Sequence, residues 1–152
     1  MPINNFGIVD RRNGSLYRSA QPDRCACETL ALLGINKVIR LNADENFDPN
    51  KENEFISVDY TPIATLSVDI EKSLGIVNKI KEYLDDGKNV LVHCTHGKDR
   101  TSFIIGIYRI LFNKWTLEQV HAERKTYGVN LLCDVGDWQF TKALEFVFNS
   151  KS

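Results

Sequence analysis

A chain of 152 residues, 43% apolar and 26% charged, has enough apolar material for one soluble domain with a substantial core. Its formal charge of −1 argues against a nucleic-acid or membrane-surface partner, so any affinity for anions must come from a local cluster. No run of eighteen apolar residues occurs, and Met1-Pro2-Ile3-Asn4-Asn5-Phe6 lacks a basic segment followed by an apolar one; both features point to a cytosolic protein without a membrane span.

Residues 6–9 and 15–18 are short β-type runs around Asn13-Gly14, which predicts an opening hairpin. Pro22 suits a first helical turn, Leu30, Leu32 and Leu33 follow, and Gly34 marks a helix end, so 23–33 reads as a helix. Residues 37–41 and 54–59 are β-rich and read as strands, with 42–53 as the loop between them. Ile70, Leu74, Val77, Ile80 and Leu84 recur at helical spacing, which predicts a long helix closing at Asp85-Asp86-Gly87. Residues 89–93 are nearly all apolar, as expected of a strand covered on both faces of a parallel or mixed sheet. A helix follows over 101–112. Thr116 and Gln119 form a capping-box pattern before another helix ending at Gly128, and a last helix is expected over about 137–148. Strands alternating with helices predict an α/β fold in one domain, with a central, mostly parallel sheet flanked by helices and an N-terminal hairpin. Ligands bind such sheets at the C-terminal ends of the strands, and Cys94 follows the end of the 89–93 strand.

The loop His93-Cys94-Thr95-His96-Gly97-Lys98-Asp99-Arg100-Thr101 carries the strongest chemical signal. A backbone turning from a strand into a helix can aim successive N–H groups inward as an anion nest, and the helix N-terminus adds partial positive charge. The same field favours a thiolate, so Cys94 is the candidate nucleophile for a bound phosphoryl group. Arg100 offers a planar fork for two phosphoryl oxygens, which a lysine would match only as a point charge. Lys98 adds a second cation. Thr101 is positioned to hydrogen-bond the sulfur and ease its departure. Thr95, His96, Gly97 and Asp99 complete the candidate binding loop, while His93 reads as a brace that supports it. Gly97-Lys98 does not make a nucleotide P-loop, because residue 92 is Val and Asp99 follows the lysine.

From Val92-His93-Cys94 through Arg100-Thr101 the sequence resembles the cysteine-based phosphatases, whose signature is His-Cys-x5-Arg-Ser/Thr. More narrowly, Leu16-Tyr17-Arg18-Ser19-Ala20-Gln21-Pro22, Gly34-Ile35 with Val38-Ile39 and Leu41, and Trp115-Thr116-Leu117 are similar to the atypical dual-specificity phosphatases of plants, fungi and bacteria. Ser102 departs from the glycine found in many relatives. The resemblance implies hydrolysis of a phosphoprotein, an inositol phosphate or a phosphoinositide; no metal or organic cofactor is called for, because thiolate, arginine and backbone amides supply the nucleophile and the charge stabilisation. It also implies a general acid Asp between a strand and the helix that precedes the signature strand. Asp59 and Asp69 both qualify. Asp59 is preferred because it closes a strand beside a loop, whereas Asp69 can serve simply to complement a helix dipole. Arg18, Arg40, Arg124 and Lys125 extend the cationic surface if the fold brings them together, and are otherwise ordinary solvated charges.

Four cysteines at 25, 27, 94 and 133 are expected to stay reduced, since a chain of this length does not need disulfides. The spacings of Cys25, Cys27, His93, Cys94 and His96 are not those usual for zinc. Two other functions use the same loop: a phosphate-reading module with little turnover, and sulfur or arsenate transfer, for which Cys133 would have to approach Cys94.

Overall fold

The Asn13-Gly14 turn closes the expected hairpin, in which β1 (Gly7–Arg11) and β2 (Ser15–Ser19) pair antiparallel with an irregularity between Ile8 and Asp10. The computed structural model describes residues 3–43, 48–64, 68–128 and 134–151. After β2 the chain makes a 3-10 turn, Arg24–Ala26, and then α1 (Cys27–Leu32), so the expected 23–33 helix is divided in two. β3 (Lys37–Arg40) follows. The region read as a loop over 42–53 contains a short helix, α2 (Pro49–Glu52), where Asp48 caps the Asn50 amide at 3.0 Å and Pro49 occupies the first turn.

β4 (Ser57–Tyr60) starts three residues later than expected, because Asn53 turns the chain. Its Oδ1 accepts from the Phe55 amide and its carbonyl accepts from Ile56 N–H. α3 (Ile70–Asp85), β5 (Val90–His93), α4 (Asp99–Phe112), α5 (Leu117–Tyr127) and α6 (Asp134–Ser150) complete the order. The Thr116–Gln119 capping box is formed on both sides. α4 begins at Asp99 rather than at Thr101, which places Arg100 inside its first turn.

The sheet runs β1-β2-β5-β3-β4, and every pair except β1 with β2 is parallel. β5 is central. Its period-2 alternation sends Val90, Val92 and Cys94 into a core shared with α3, α4, α5 and α6, and Leu91 into a second core shared with α1. Both faces of β5 are therefore covered, which is why the 90–92 run is wholly apolar. Burying each of these side chains contributes roughly 1.5–3 kcal/mol. That burial anchors the end of the strand from which the Cys94 loop departs.

Candidate active site

Cys94 follows β5 directly, is 2% exposed, and stands at the C-terminal edge of the parallel sheet. Three successive carbonyls of the following loop are held on its outer side. Thr95 O accepts from Gln21 N–H at 3.1 Å, His96 O from Asn5 Nδ2 at 3.2 Å, and Gly97 O from Arg18 Nη2 at 3.1 Å and Asn5 Nδ2 at 3.3 Å. Across a trans peptide the next N–H points the opposite way. The amides of His96, Gly97 and Lys98 are thereby turned toward the concave side, and the N-terminus of α4 continues the row.

Gly97 makes this curvature possible. It has φ +70°, and a Cβ there would lie 2.6 Å from Ala20 N and from Ser19 C. Arg100 Nη2 donates to Thr95 Oγ1 at 3.1 Å, so the guanidinium folds back across the loop that it serves. Thr101 is fully buried, and among the described residues its hydroxyl has no hydrogen-bond partner. His96 is exposed, and Asp99 opens α4. The Lys98 stem crosses Gly128, where a Cβ would meet Lys98 Cε at 3.1 Å.

His93 is 1% exposed and its Nδ1–H donates to Cys94 O at 3.3 Å. Burial pushes its pKa down to about 4; the Cys94 carbonyl opposes that fall, while the nearby Arg40 and Arg100 charges add to it. The ring is therefore neutral at pH 7 and its hydrogen bond ties it to the Cys94 backbone.

Arg18 is not part of a solvated cationic rim. It is fully buried beneath the loop, donating to Gly97 O and, at 2.5 Å, to Ser102 Oγ, with its guanidinium 3.6 Å from the Tyr127 ring centroid. Burial pushes its pKa down to about 10, opposed by Glu123, whose carboxylate lies 3.8 Å away. Glu123 also takes a forked pair from Arg109 at 2.6 and 3.2 Å. Ser102, which departs from the glycine of many relatives, thus supplies an acceptor for Arg18. Arg124 is also turned inward, donating to Thr141 Oγ1 at 3.2 Å, whereas Lys125 is exposed. Arg40 stays beside the loop.

The two acid candidates part company. Asp59 lies inside β4, and its carboxylate accepts from Lys37 Nζ at 3.0 Å and from Tyr83 Oη at 2.5 Å. Lys37 is the first residue of β3 and Tyr83 lies late in α3, so both partners draw Asp59 toward the N-terminal ends of the strands, away from Cys94. Burial and the Asp59 carboxylate in turn raise the Tyr83 pKa. Asp69 is exposed at the N-cap of α3, where its Oδ1 accepts from Lys72 N–H at 3.0 Å. It lines a cavity of about 260 Å³ with Pro62, Ile63, Val68, Phe103 and Phe140; Phe103 lies two residues beyond Thr101 on α4. Lys72 Nζ donates to Pro62 O across this cavity.

Asn5 and Gln21 support the loop without having been singled out for it in the sequence; Gln21 belongs to the Leu16–Pro22 stretch, and Asn5 carries no local signal. Cys25 is an exposed cysteine and Cys27 a half-buried one, and Cys133 lies outside the described residues. Among the described residues no three His, Cys, Asp or Glu side chains form a metal-sized group, and no helix is long and apolar enough to cross a membrane.

The sequence model of the tyrosine phosphatase family matches residues 1–144. The chain is 28% identical over 135 residues to OCA1 of Mycosarcoma maydis, a tyrosine-protein phosphatase by name, covering 84% of this chain and 82% of that one. It is 26% identical over 125 residues to the dual specificity protein phosphatase TpbA of Pseudomonas aeruginosa, covering 78% of this chain and about half (53%) of the relative. Among solved structures, the catalytic domain of the PP-IP phosphatase SIW14 of S. cerevisiae superposes with a TM-score of 0.73 at 21% identity, over 93% of this chain and 86% of that one.

Proposed function

Because the chain belongs to the tyrosine phosphatase family and is thus a cysteine-dependent phosphatase, we propose that it hydrolyses phosphomonoesters through a thiophosphate on Cys94. The observation that supports this most directly is the outward tethering of three successive loop carbonyls, which leaves their partner amides facing a cysteine at the end of a buried strand.

In this reading the phosphoryl oxygens lie against the inward amides and the Arg100 fork. Cys94 Sγ attacks phosphorus while the ester P–O bond breaks, and Asp69 gives the leaving oxygen its proton. Asp69 is chosen over Asp59 because the latter is held by Lys37 and Tyr83. Water then attacks the phosphocysteine and gives a proton to the Asp69 carboxylate, the S–P bond breaks, and the Thr101 hydroxyl stabilises the departing thiolate. His96, Lys98 and Asp99 border the substrate, and Thr95 positions Arg100. The substrate class is phosphotyrosine, phosphoserine or phosphothreonine in proteins, or an inositol phosphate or phosphoinositide.

Cys94→Ser tests the central step. The variant should lose turnover of an aryl phosphate yet still bind tungstate, and undiminished turnover would rule the mechanism out. Turnover lost from the wild-type protein together with retained tungstate binding would instead favour the phosphate-reading module.

A further inference from the structure

Arg40 has no use in the chemistry above, yet the sheet sets it against the Cys94 loop. It ends β3, and its register partner on β5 is His93, the residue before the nucleophile. One strand spacing, ~5 Å, therefore separates its backbone from the foot of the loop. Its Nε donates to Asn42 O at 3.2 Å, and its guanidinium lies 5.4 Å from the Tyr60 ring centroid. The charges of Arg40 and Arg100 both bear electrostatically on His93, the register partner of Arg40.

Among the described residues no carboxylate pairs with Arg40, and its Nη2 is buried without an acceptor. Asn42 beside it is fully buried; its Nδ2 donates to Gln21 Oε1 at 2.8 Å, while among the described residues its Oδ1 has no donor. A buried polar group left unpaired costs roughly 1–3 kcal/mol, more when charged. Such groups are uncommon unless an ion, water or ligand serves them. A cationic donor next to a free acceptor matches a ligand that brings an anionic oxygen and a hydroxyl together. Arg100 and the loop amides already serve one phosphoryl group, so Arg40 is surplus to a monophosphate.

We propose that Arg40 and Asn42 form a second anion subsite, which takes a phosphate carried close to the scissile ester on a polyol bearing at least two phosphates. The proposal rests on the phosphatase reading of the Cys94 loop. A separation of one strand spacing requires the second phosphate to sit near the first, as on neighbouring carbons of a compact ring. The free Asn42 Oδ1 suits a ring hydroxyl, which an acidic peptide side chain does not offer.

The test compares Cys94→Ser with Cys94→Ser/Arg40→Met by calorimetry. The probes are inorganic phosphate, soluble inositol hexakisphosphate, and vesicles containing phosphatidylinositol 4,5-bisphosphate. Loss of a charged hydrogen bond should weaken one or both polyphosphate probes about 10–100-fold more than phosphate. Whichever probe responds identifies a free polyol or a lipid headgroup as the source. Arg40→Lys, which keeps the charge without the fork, should fall in between and serves if Arg40→Met does not fold. Equal weakening of all probes, or none, overturns the subsite, as does the same Arg40 dependence for an acidic phosphotyrosine peptide. Because these are binding measurements, a failure of turnover would count against the catalytic reading alone.

Discussion

His93 makes the stability of this protein depend on pH in a window that can be calculated. The ordinary value of the imidazole is 6.5, and burial pushes it down to about 4 in the folded chain. At pH 7 the ring is neutral in both states. As pH falls, the unfolded chain takes up a proton near 6.5, while the folded chain resists until about 4. Stability from the neutral ring is thus complete above 6.5, is lost progressively as pH falls, and changes no further below about 4. At 1.36 kcal/mol per pH unit the whole interval corresponds to ~3 kcal/mol, of which about 2 kcal/mol falls between pH 7 and pH 5. For a chain of this size that portion lowers Tm by about 4–8 °C. His93→Asn is the matched control, because its amide can still donate to Cys94 O but does not titrate. Thermal or urea unfolding at pH 7, 6 and 5 should show the wild-type protein losing about 2 kcal/mol more than the variant. Stability curves for the two proteins that run parallel from pH 7 to pH 5 would refute the reasoning.

Gly97→Ala places a Cβ against Ala20 N and the Ser19 carbonyl carbon at a φ of +70°, and backbone at that distance cannot yield cheaply. The expected results are a loss of at least ~1–2 kcal/mol in urea denaturation, the cost of a left-handed non-glycine residue alone, and weakened tungstate binding as the amide row is displaced. Asp69→Asn should lower kcat on an alkyl phosphate, whose leaving group needs a proton, by about 10²–10⁴-fold, and far less on a nitrophenyl phosphate. Asp59→Asn should spare this leaving-group dependence and instead cost up to ~1 kcal/mol of stability, since its pair with Lys37 is partly open to solvent. A reversed pattern between the two variants would return the acid role to Asp59.

The parts of the fold legible in the sequence share one property: their cause is local. The Asn13-Gly14 hairpin, the doubly covered β5 and the Thr116 capping box each depend on residues a few positions apart. The Asp48-Pro49 start of α2 is an equally local signal, outweighed in the sequence by the polar run around it. β4 was placed early because β-rich composition outweighed the turn made by Asn53.

Asp59 shows where local reading stops. It is followed by Tyr60-Thr61-Pro62, which invited a mobile-loop reading, but its partners Lys37 and Tyr83 lie 22 and 24 residues away. Arg18 looked like a surface charge until Gly97, Ser102 and Tyr127 closed over it.

By itself the sequence determined the candidate loop and most of the order of elements, because Cys94, Arg100 and the turn into α4 are contiguous and backbone preference acts over a few residues. Only the tertiary structure decided which charges serve that loop. Arg18, 79 residues from Gly97, went underneath it, and Arg40 came alongside it. Whether a charged side chain is buried, paired or left free depends on strand register and on which distant element packs over it, and no local pattern encodes that outcome.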